Sequence, residues 1–541
     1  MAITIRRAKP EDAFKWLDLV NGSLGGGFPD ARIYNGEWIA AQFDPDTGQE
    51  TWVAECDARF EASVTLLSPT TDNVNPVLNL GRQLNRGESY ENGAASMLLK
   101  QMSALADDRG HWAVARVRAA DFAGQTLFEN AGFVCAGYQP AKHVAHGREG
   151  VLFYVRLGRP EAVMRLPISD ALPQVAELAG WVLAQLGIST PLQIRDGATG
   201  YPLQAEIDVH DALYDDFELW RMQALITPLP GDISSGFNQG CGLMRMEPAT
   251  PPLALLGQRE DRMVAGLAYY FDEDDRCLRI VNSFSCDDLS LGALMRHAVD
   301  LARSRFNATY LEADLPMTAP RLLKSAEQLG FIPVAYLPAF NLQGGRCADV
   351  VKMVKLNQLY SPEPHKLTTQ ARGVLNIVDR NFEDQKAGLA VIFLLRGLPF
   401  FSGMGDGELR KVARLFAQRL VRTDEVVCRR GDASQEAFVV MRGQMNVHLT
   451  GEGPPVGLMT DGQIFGEQAF LDGAPRTATI VARQPGVLLV IRREAFNELI
   501  RHEPHLGMII MRNIALELSK KLKRTNALLE GMRQLGGSQP G

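Results

Sequence analysis

The first third of the chain alternates between the hydrophobic spacing of strands and that of helices. The stretch ITIRRAKPEDAFKWLDLV begins as a strand and then turns helical, and TWVAECDARFEASVTLLS alternates as a β-hairpin does. Further along, Met97, Leu98, Met102 and Leu105 fall on one face of a helix. Gly132 then stands where a helix gives way to a strand. This order of elements predicts a mixed α/β domain.

The last quarter of the chain has a different pattern. Leu409, Val412, Ala413, Leu415 and Phe416 fall on one face of a predicted helix. Short alternating segments separated by glycines follow, such as EAFVVMRGQMNVHLT and TATIVARQPGVLLVIRR, which is typical of a small β-barrel or jelly roll. The pattern returns to helix at REAFNELIRH. This arrangement of helices around strands predicts a segregated α+β unit.

The first two thirds of the chain contain an internal repeat. The stretch FENAGFVCAGYQPA aligns with AEQLGFIPVAYLPA, 198 residues further along, and SMLLKQMSALA aligns with GALMRHAVDLA. Identities in the first pair include Glu129, Gly132, Phe133, Tyr138 and Pro140, which correspond to Glu327, Gly330, Phe331, Tyr336 and Pro338. Self-similarity at a nearly fixed separation indicates duplicated structure, here two domain-sized parts that we call the first copy and the second copy.

Length and composition set further bounds. A chain of 541 residues is too long for one core and predicts two to four domains, and its net charge of −7 argues against a nucleic-acid binder. The seven scattered cysteines show no C-x-x-C spacing, which favours reduced thiols in the cytoplasm. We expect no metal site. We also expect no signal peptide and no membrane span, because the apolar run LAVIFLL is too short to cross a bilayer.

The stretch FGEQAFLDGAPRTATI carries candidate binding chemistry. Glu467 and Arg476 stand nine residues apart among small residues. The forked guanidinium of Arg476 suits a phosphate, and Gly466, Ala469 and Ala478 are small enough to let backbone N–H groups reach the same phosphate. Glu467 can accept a hydrogen bond from a ribose hydroxyl. The stretch predicts a clamp for a sugar phosphate, and the alternative is a solvated surface loop.

This stretch resembles the phosphate-binding cassette of cyclic-nucleotide-binding domains, whose pattern is F-G-E-x-A-L, a short spacer and P-R-x-A-T. The matching residues are Phe465, Gly466, Glu467, Ala469, Pro475, Arg476, Ala478 and Thr479. Upstream, Gly431 and Gly443 match two glycines of the family's barrel. The resemblance covers roughly 390–525 and implies a jelly-roll barrel with flanking helices.

The resemblance implies a cyclic-nucleotide site formed by Phe465, Gly466, Glu467, Gln468, Ala469, Arg476 and Thr477. It also implies that Leu522 or Leu528 of the terminal helix caps the base. Gln468 replaces the family's usual aliphatic residue, and Thr477 carries a hydroxyl that favours guanine in some relatives. Both cAMP and cGMP are therefore candidate ligands, with cAMP favoured. Catabolite-activator relatives continue into a helix-turn-helix, whereas little chain follows here, so we expect no DNA binding.

The first copy carries a second candidate site. Gly93 and Ala95 open a helix, and small residues at a helix N-terminus expose amides to an anion. With its surrounding elements, the stretch 1–158 resembles the GNAT N-acetyltransferase fold, in which an R/Q-x-x-G-x-G/A loop holds the pyrophosphate of coenzyme A. The resemblance implies that Asn92, Gly93, Ala94 and Ala95 bind acetyl-CoA.

Two positions of the first copy depart from the family's pattern. Tyr90 replaces the Arg or Gln that usually opens the loop, and Phe128 replaces a tyrosine that often protonates the leaving thiolate. Because Phe128 has no proton to give, the remaining candidates for acid–base work are Glu55, Glu88 and Tyr90. In the second copy, Leu289 and Leu291 stand where the first copy has Gly93 and Ala95. Their branched side chains would hold a pyrophosphate away from the amides, so we expect a structural role or a substrate-side platform there.

Together these patterns predict an α+β multidomain protein. We expect two GNAT-like α/β domains over 1–158 and 160–357, a linker with a helix over 358–389, and a cyclic-nucleotide-binding β-barrel over 390–530. The predicted function is a cyclic-nucleotide-regulated N-acyltransferase that uses acetyl-CoA, with a protein lysine as one candidate acceptor amine. The alternative is a non-catalytic cyclic-nucleotide sensor whose degenerate GNAT-like domains bind a metabolite or a partner protein. A homo-oligomer is compatible with either.

Overall fold

The structure is a computed structural model, and it forms two compact units, Met1–Phe382 and Glu383–Gly541. The residues that it describes are 2–24, 31–47, 49–67, 77–109, 112–144, 147–158, 165–166, 172–189, 200–226, 234–235, 252–273, 275–343, 346–358, 360, 365–404, 406–449, 453–516, 519 and 523.

The first unit is built on one sheet, which has fifteen strands among the described residues. Those of the first copy are β1 (Ile3–Arg7), β2 (Gln49–Cys56), β3 (Arg59–Leu67), β4 (Val77–Asn85), β5 (Trp112–Arg118), β6 (Val134–Val144) and β7 (Gly147–Arg156). Those of the second copy are β8 (Asp208–Leu213), β9 (Ser234–Ser235), β10 (Leu253–Arg259), β11 (Arg262–Asp272), β12 (Cys277–Ser285), β13 (Tyr310–Pro316), β14 (Ile332–Gln343) and β15 (Arg346–Leu356).

The two copies have the same strand order. The first runs β1-β2-β3-β4-β5-β7-β6, and the second runs β8-β10-β11-β12-β13-β15-β14, with the short strand β9 added beside β12. In both, one pair is parallel, namely β4 with β5 and β12 with β13, and the other neighbours within each copy are antiparallel. Strands β6 and β14 join the copies, so the order of the second copy reads backward from the join.

The helices of the first unit repeat in the same way. Those of the first copy are α1 (Ala13–Leu24), α2 (Gly36–Gln42), α3 (Gly87–Glu91), α4 (Ala94–Asp108) and α5 (Phe122–Asn130). After α6 (Pro173–Gln185), the second copy has α7 (Tyr214–Ile226), α8 (Ser290–Ser304) and α9 (Pro320–Gln328). Unusual backbone recurs too, since Ala141 and Ala339 have φ values of 51° and 56°. The aligned stretches of sequence therefore occupy equivalent places in one fold.

The join between the copies is close. Gly137 of β6 pairs with Ala335 of β14, and these two residues correspond in the sequence repeat. A Cβ added at Gly137 would lie 2.1 Å from the Cβ of Ala335, so the approach of the two strands requires glycine there. Buried ion pairs from both copies lie beside it, among them Lys142 with Asp275, and Lys352 with Asp314 at 2.6 Å.

A long helix, α10 (Thr369–Arg396), follows the second copy. Val374, Val378 and Phe382 of its first half are buried in the core of the first unit. Trp181 of α6 packs on the same helix at Gly373, where an added Cβ would lie 2.0 Å from the indole ring. Val391 and Leu395 of its second half belong to the core of the second unit. The sequence predicted a linker with a helix over 358–389, and α10 begins within that range at Thr369 and runs past its end to Arg396.

The second unit has two four-stranded sheets, β16-β23-β18-β21 and β17-β22-β19-β20. Its strands are β16 (Phe416–Val421), β17 (Val426–Cys428), β18 (Glu436–Arg442), β19 (Met445–His448), β20 (Gly457–Met459), β21 (Ile464–Phe465), β22 (Thr479–Ala482) and β23 (Gly486–Arg492). Its helices are α11 (Asp406–Ala413), α12 (Glu467–Asp472), α13 (Arg493–His502) and a further helix over residues 504–516.

The predicted helix of the second unit is shorter than its hydrophobic spacing suggested. Helix α11 ends at Ala413, and Phe416 begins strand β16. Leu415 and Phe416 therefore do not share a helical face with Leu409. They still pack against the same apolar cluster as Leu409, because the chain stays beside that cluster after it leaves the helix. Residues after the end of the helix are also buried, so the apolar spacing in the sequence extends beyond the helix itself.

Candidate functional sites

Two neighbouring strands of the first copy, β4 and β5, separate part-way along their length, and we call the V-shaped gap between them the wedge. Strand β4 pairs with β5 in parallel from Val77 with Trp112 to Leu80 with Ala115. Beyond Leu80, β4 continues alongside β3 through a bulge at which Arg82 has a φ of 47°. No further pairing of β4 with β5 occurs among the described residues. The separated ends therefore present backbone N–H and C=O groups that extended ligands can pair with.

The predicted loop lies at the end of β4. Gly93 is the N-cap of α4 in the left-handed conformation, with φ of 83°, and a Cβ added there would meet no atom within 4 Å. The side chain of Asn92 accepts a hydrogen bond from the N–H of Ala94 at 2.9 Å. Ala94 and Ala95 are buried. The structure thus brings the four predicted cofactor-binding residues together at the N-terminus of α4, next to the wedge.

The corresponding wedge of the second copy is filled by its own chain. Strands β12 and β13 separate after Ile280, and β9 pairs with Asn282 and Ser283 on the side where β13 has left. Tyr201, which is 1% exposed, lies between α8 and α9, and its N–H donates to the Oγ of Ser325 at 2.8 Å. These contacts lie at the place in the second copy that corresponds to the separation of β4 and β5 in the first copy.

The N-terminus of α8 is also closed. The carboxylate of Asp287 accepts hydrogen bonds from the N–H of Leu289 at 2.9 Å and that of Ser290 at 2.7 Å. Arg259 donates to the same carboxylate at 2.9 Å. An internal anion thus satisfies the amides that an external phosphate would need. Sequence comparison detected the leucines of this loop but not the carboxylate that caps it.

The three candidate acid–base residues are in different surroundings. Glu55 lies on β2 and accepts hydrogen bonds from Lys15 at 2.6 Å and Arg6 at 2.8 Å. These two cations, Lys15 first, hold the pKa of Glu55 below its ordinary value, which makes it a poor general base. Glu88 is exposed on the first turn of α3. The structure therefore does not support Glu55 in the catalytic role that the sequence suggested.

Tyr90 lies at the mouth of the wedge. Its hydroxyl donates to Asp121, the N-cap of α5, at 3.0 Å and accepts from the side chain of Asn85 at 3.2 Å. Burial and then the Asp121 carboxylate raise the pKa of Tyr90, so its hydroxyl keeps its proton. Phe128 is fully buried and packs edge-on against Phe133 at 4.9 Å. Its position on α5 is thus a core position.

The sugar-phosphate stretch of the second unit folds into a compact clamp. Gly466 follows β21 and is the N-cap of α12 in the left-handed conformation, with φ of 76°. Arg476 is buried, and its Nη1 donates to the carbonyl oxygen of Gly466 at 3.1 Å. Its Nη2 and Nε donate to the Oγ of Ser434 at 2.6 Å and 3.0 Å. The guanidinium is therefore held beside the first turn of α12, directly next to Glu467.

The other predicted residues of the clamp surround it. Phe465 stacks on Phe438 with ring centroids 4.9 Å apart, and the guanidinium of Arg476 lies 5.3 Å from the centre of the Phe438 ring. Gln468 and Thr477 are exposed, and the Thr477 hydroxyl donates to the Gln468 side chain at 3.4 Å. Ala469 is buried, and Leu522 and Leu528 lie outside the described residues.

Comparison with known families agrees with this clamp. Residues 418–503 match the family model described as "Cyclic nucleotide-binding domain". The second unit contains a cyclic nucleotide-binding domain. The sequence prediction of this domain and of its jelly roll is therefore confirmed. The family model does not extend to the first unit.

Individual relatives match parts of the chain. It is 29% identical to the cyclic AMP receptor protein of Thermus thermophilus over 139 residues, which are 25% of this chain and 62% of that protein. It is 34% identical to the acetyltransferase Pat of Mycolicibacterium smegmatis over 108 residues, which are 20% of this chain and 32% of that protein. The solved catabolite activator protein of Thermus thermophilus matches at 28% identity with a TM-score of 0.23, over 25% of this chain and 63% of that one. The chain thus spans less than two thirds of each of these relatives.

Ser434 is a residue of the cyclic nucleotide-binding domain that sequence reasoning missed. It holds two nitrogens of Arg476 from 42 residues away, and no local pattern marks it. The described residues contain no group of three or more His, Cys, Asp or Glu side chains that could hold a metal ion. No helix among them is both long and apolar enough to cross a membrane.

Proposed function

We propose that the protein is a cyclic-nucleotide-regulated N-acyltransferase of the cytoplasm, with a coenzyme A thioester bound in the first copy and a cyclic nucleotide bound at Arg476. The observation that carries the first half of this proposal is the separation of β4 from β5 after Leu80, beside the N-terminus of α4. The observation that carries the second half is the buried guanidinium of Arg476 beside the first turn of α12.

The first copy suits acetyl-CoA for two independent reasons. The pantetheine arm of coenzyme A is an extended chain with two amides, and the unpaired edge of β4 offers backbone groups to such a chain. The pyrophosphate needs N–H donors, and the first amides of α4 lack acceptors within their own helix. The amide of Ala94 already donates to the neutral side chain of Asn92, which a phosphate would have to displace. The open space at Gly93 lets an anion approach those amides. The thioester would supply an activated acyl group when bound.

The second copy supports a structural role in the same proposal. In this copy, strand β9 pairs with β12 in the wedge, and Tyr201 is hydrogen-bonded to α9 beside it. Asp287 caps the N-terminus of α8. We therefore expect one coenzyme per chain. The strand order common to both copies supports the GNAT-like assignment of each, and the match to a named acetyltransferase over 108 residues supports acyl transfer as the reaction class. A protein lysine is the acceptor to test first.

For the second unit we propose cAMP as the ligand, with cGMP as the competing candidate. Arg476 would neutralise the cyclic phosphate, and Glu467 would accept a hydrogen bond from the ribose hydroxyl. The relative named as a cyclic AMP receptor protein supports cAMP, while a relative named as a cGMP-dependent protein kinase keeps cGMP in the comparison.

A calorimetric titration with acetyl-CoA tests the first half of the proposal. Wild type should bind one equivalent, and Gly93→Val should abolish binding because the side chain fills the space in front of the amides. Gly187→Val is the matched control, since Gly187 has a φ of 69°, lies after α6 and likewise has no atom within 4 Å of an added Cβ. Equal binding by Gly93→Val, or two equivalents in wild type, would refute the assignment.

The alternative function is a non-catalytic sensor that binds the thioester without turning it over. The described acid–base candidates favour it, because Glu55 is ion-paired, the Tyr90 hydroxyl is engaged by Asp121, and position 128 is a buried phenylalanine. An assay of free thiol release from acetyl-CoA, with saturating cAMP and a mixed set of lysine peptides, separates the two. Binding without thiol release would support the sensor.

A further inference from the structure

The start of α10 is hydrogen-bonded to α5 of the first copy. The N–H of Thr368 donates to the side-chain oxygen of Gln125 at 3.2 Å, and the hydroxyl of Thr368 donates to Glu129. Two residues further, the side chain of Gln370 accepts from the N–H of Cys135 at 3.2 Å. Residues at the beginning of the helix thus contact α5 and the strand that follows it.

The hydrogen bonds continue from α5 to the wedge. The side chain of Gln125 is fully buried and donates to the carbonyl oxygen of Ala119, in the loop between β5 and α5, at 2.8 Å. Two residues later the loop reaches Asp121, which accepts from the Tyr90 hydroxyl. Tyr90 in turn is bonded to Asn85 at the end of β4. The contacts connect α10 to the strand end and to the loop that leads to Gly93.

Two positions of this set of polar contacts are apolar in the second copy. Helices α5 and α9 are both nine residues long and align without a gap. In that alignment Gln125 corresponds to Leu323 and Asp121 to Ala319, neither of which has a polar side chain. The polar residues Gln125 and Asp121 therefore occur in the copy that keeps the loop predicted to bind coenzyme A. The copy whose wedge is filled by its own chain has apolar residues at these two positions.

We propose that Thr368 and Gln125 transmit the cyclic-nucleotide signal from α10 into the coenzyme site of the first copy. This inference rests on the proposed function. Helix α10 contributes residues to the cores of both units. A movement of its first turn would take the N–H of Thr368 away from the side-chain oxygen of Gln125 and the Thr368 hydroxyl away from Glu129. The loop at Ala119, and then Tyr90, would follow because their hydrogen bonds leave few other partners in a buried environment.

The test uses the full chain and three variants. Thr368→Val removes the hydroxyl, and Gln125→Leu installs the apolar residue of the second copy. Thr369→Val makes the same chemical change one residue along, at an exposed position. Acetyl-CoA affinity is titrated with and without saturating cAMP. Amide hydrogen exchange of residues 85–95 and 119–131 is followed with and without cAMP in the absence of acetyl-CoA.

We expect cAMP to change acetyl-CoA affinity in wild type and in Thr369→Val by a factor typical of allosteric coupling, about 5-fold or more. In Thr368→Val and in Gln125→Leu the factor should fall to within about twofold of unity, with cAMP affinity itself retained. Retention of the full factor in both variants would overturn the proposal, and so would an unchanged exchange pattern in wild type on adding cAMP. If acetyl-CoA fails to bind at all, the proposed function fails, while the exchange data still decide whether the signal reaches α5.

Discussion

The guanidinium of Arg476 lies against the backbone of Gly466, with Nη1 donating to its carbonyl oxygen at 3.1 Å. A Cβ added at Gly466 would lie 2.3 Å from that same nitrogen. Glycine is therefore required at this position for two reasons. It allows the left-handed conformation at the start of α12, and it leaves room for the guanidinium of Arg476. The spacing of Glu467 and Arg476 along the chain follows from this contact, because the loop between them returns the arginine to the start of the helix.

Replacing Arg476 with alanine should greatly weaken cyclic-nucleotide binding. The cyclic phosphate would lose its positively charged partner Arg476, which costs about 2–5 kcal/mol, or about one and a half to four decades of affinity. Titration with cAMP measures the loss. Arg483→Ala is the control, because Arg483 is an exposed arginine of the same domain, and its affinity should equal that of wild type. If the Arg476→Ala variant bound cAMP as tightly as wild type, Arg476 would not be part of the binding site.

Gly466→Ala should impair both folding and ligand binding, whereas Gly431→Ala should impair folding alone. Both glycines have positive φ, at 76° and 90°, so each alanine costs about 1–2 kcal/mol of backbone strain. Only at Gly466 does the added methyl group meet the guanidinium, since an added Cβ at Gly431 has no atom within 4 Å. Calorimetric unfolding and cAMP titration of both variants separate the two effects. Equal affinities in the two variants would contradict the steric role of Gly466.

Gly137→Ala should destabilise the first unit by forcing apart the strands that join the copies. The added methyl group would overlap Ala335, and overpacking of this kind costs about 1–3 kcal/mol or more. Gly257→Ala is the control on the same sheet, because the nearest atom to its added Cβ lies at 3.4 Å. All six tryptophans precede residue 221, so tryptophan fluorescence during urea unfolding reports on this unit. Matching midpoints for the two variants would show that the join tolerates the methyl group.

Glu55→Gln should lower the stability of the first unit at neutral pH and leave any acyl transfer intact. Its two charged hydrogen bonds, to Lys15 and Arg6, are worth about 1–3 kcal/mol in this mostly buried setting. The pairing lowers the pKa of Glu55 from its ordinary 4.5, so it stabilises the fold above that pH and is lost as pH falls through the lower folded value. The gap between variant and wild type should therefore shrink in acid. A constant gap down to pH 3, or abolished turnover at neutral pH, would contradict this structural role.

The cassette was predictable because its chemistry is local. Gly466, Glu467 and Arg476 stand within one short stretch, and the left-handed turn, the small residues and the guanidinium are all encoded there. The repeat was also readable, because corresponding residues of α5 and α9 keep a constant separation along the chain. In both cases the deciding information lies in the order and spacing of neighbouring residues, which backbone geometry converts directly into structure.

The sequence by itself determined the element types, the repeat and the identity of the phosphate clamp. Only the tertiary structure decided that Ser434 holds Arg476, that Tyr201 is hydrogen-bonded to Ser325, and that Lys15 and Arg6 neutralise Glu55. Each of these contacts joins residues 40 or more positions apart. Periodicity and turn chemistry act over a few residues, whereas the partner of a buried polar group depends on where the whole chain places other donors and acceptors. For that reason the interpretation of the catalytic candidates, whose chemistry depends on their surroundings, changed most when the fold was known.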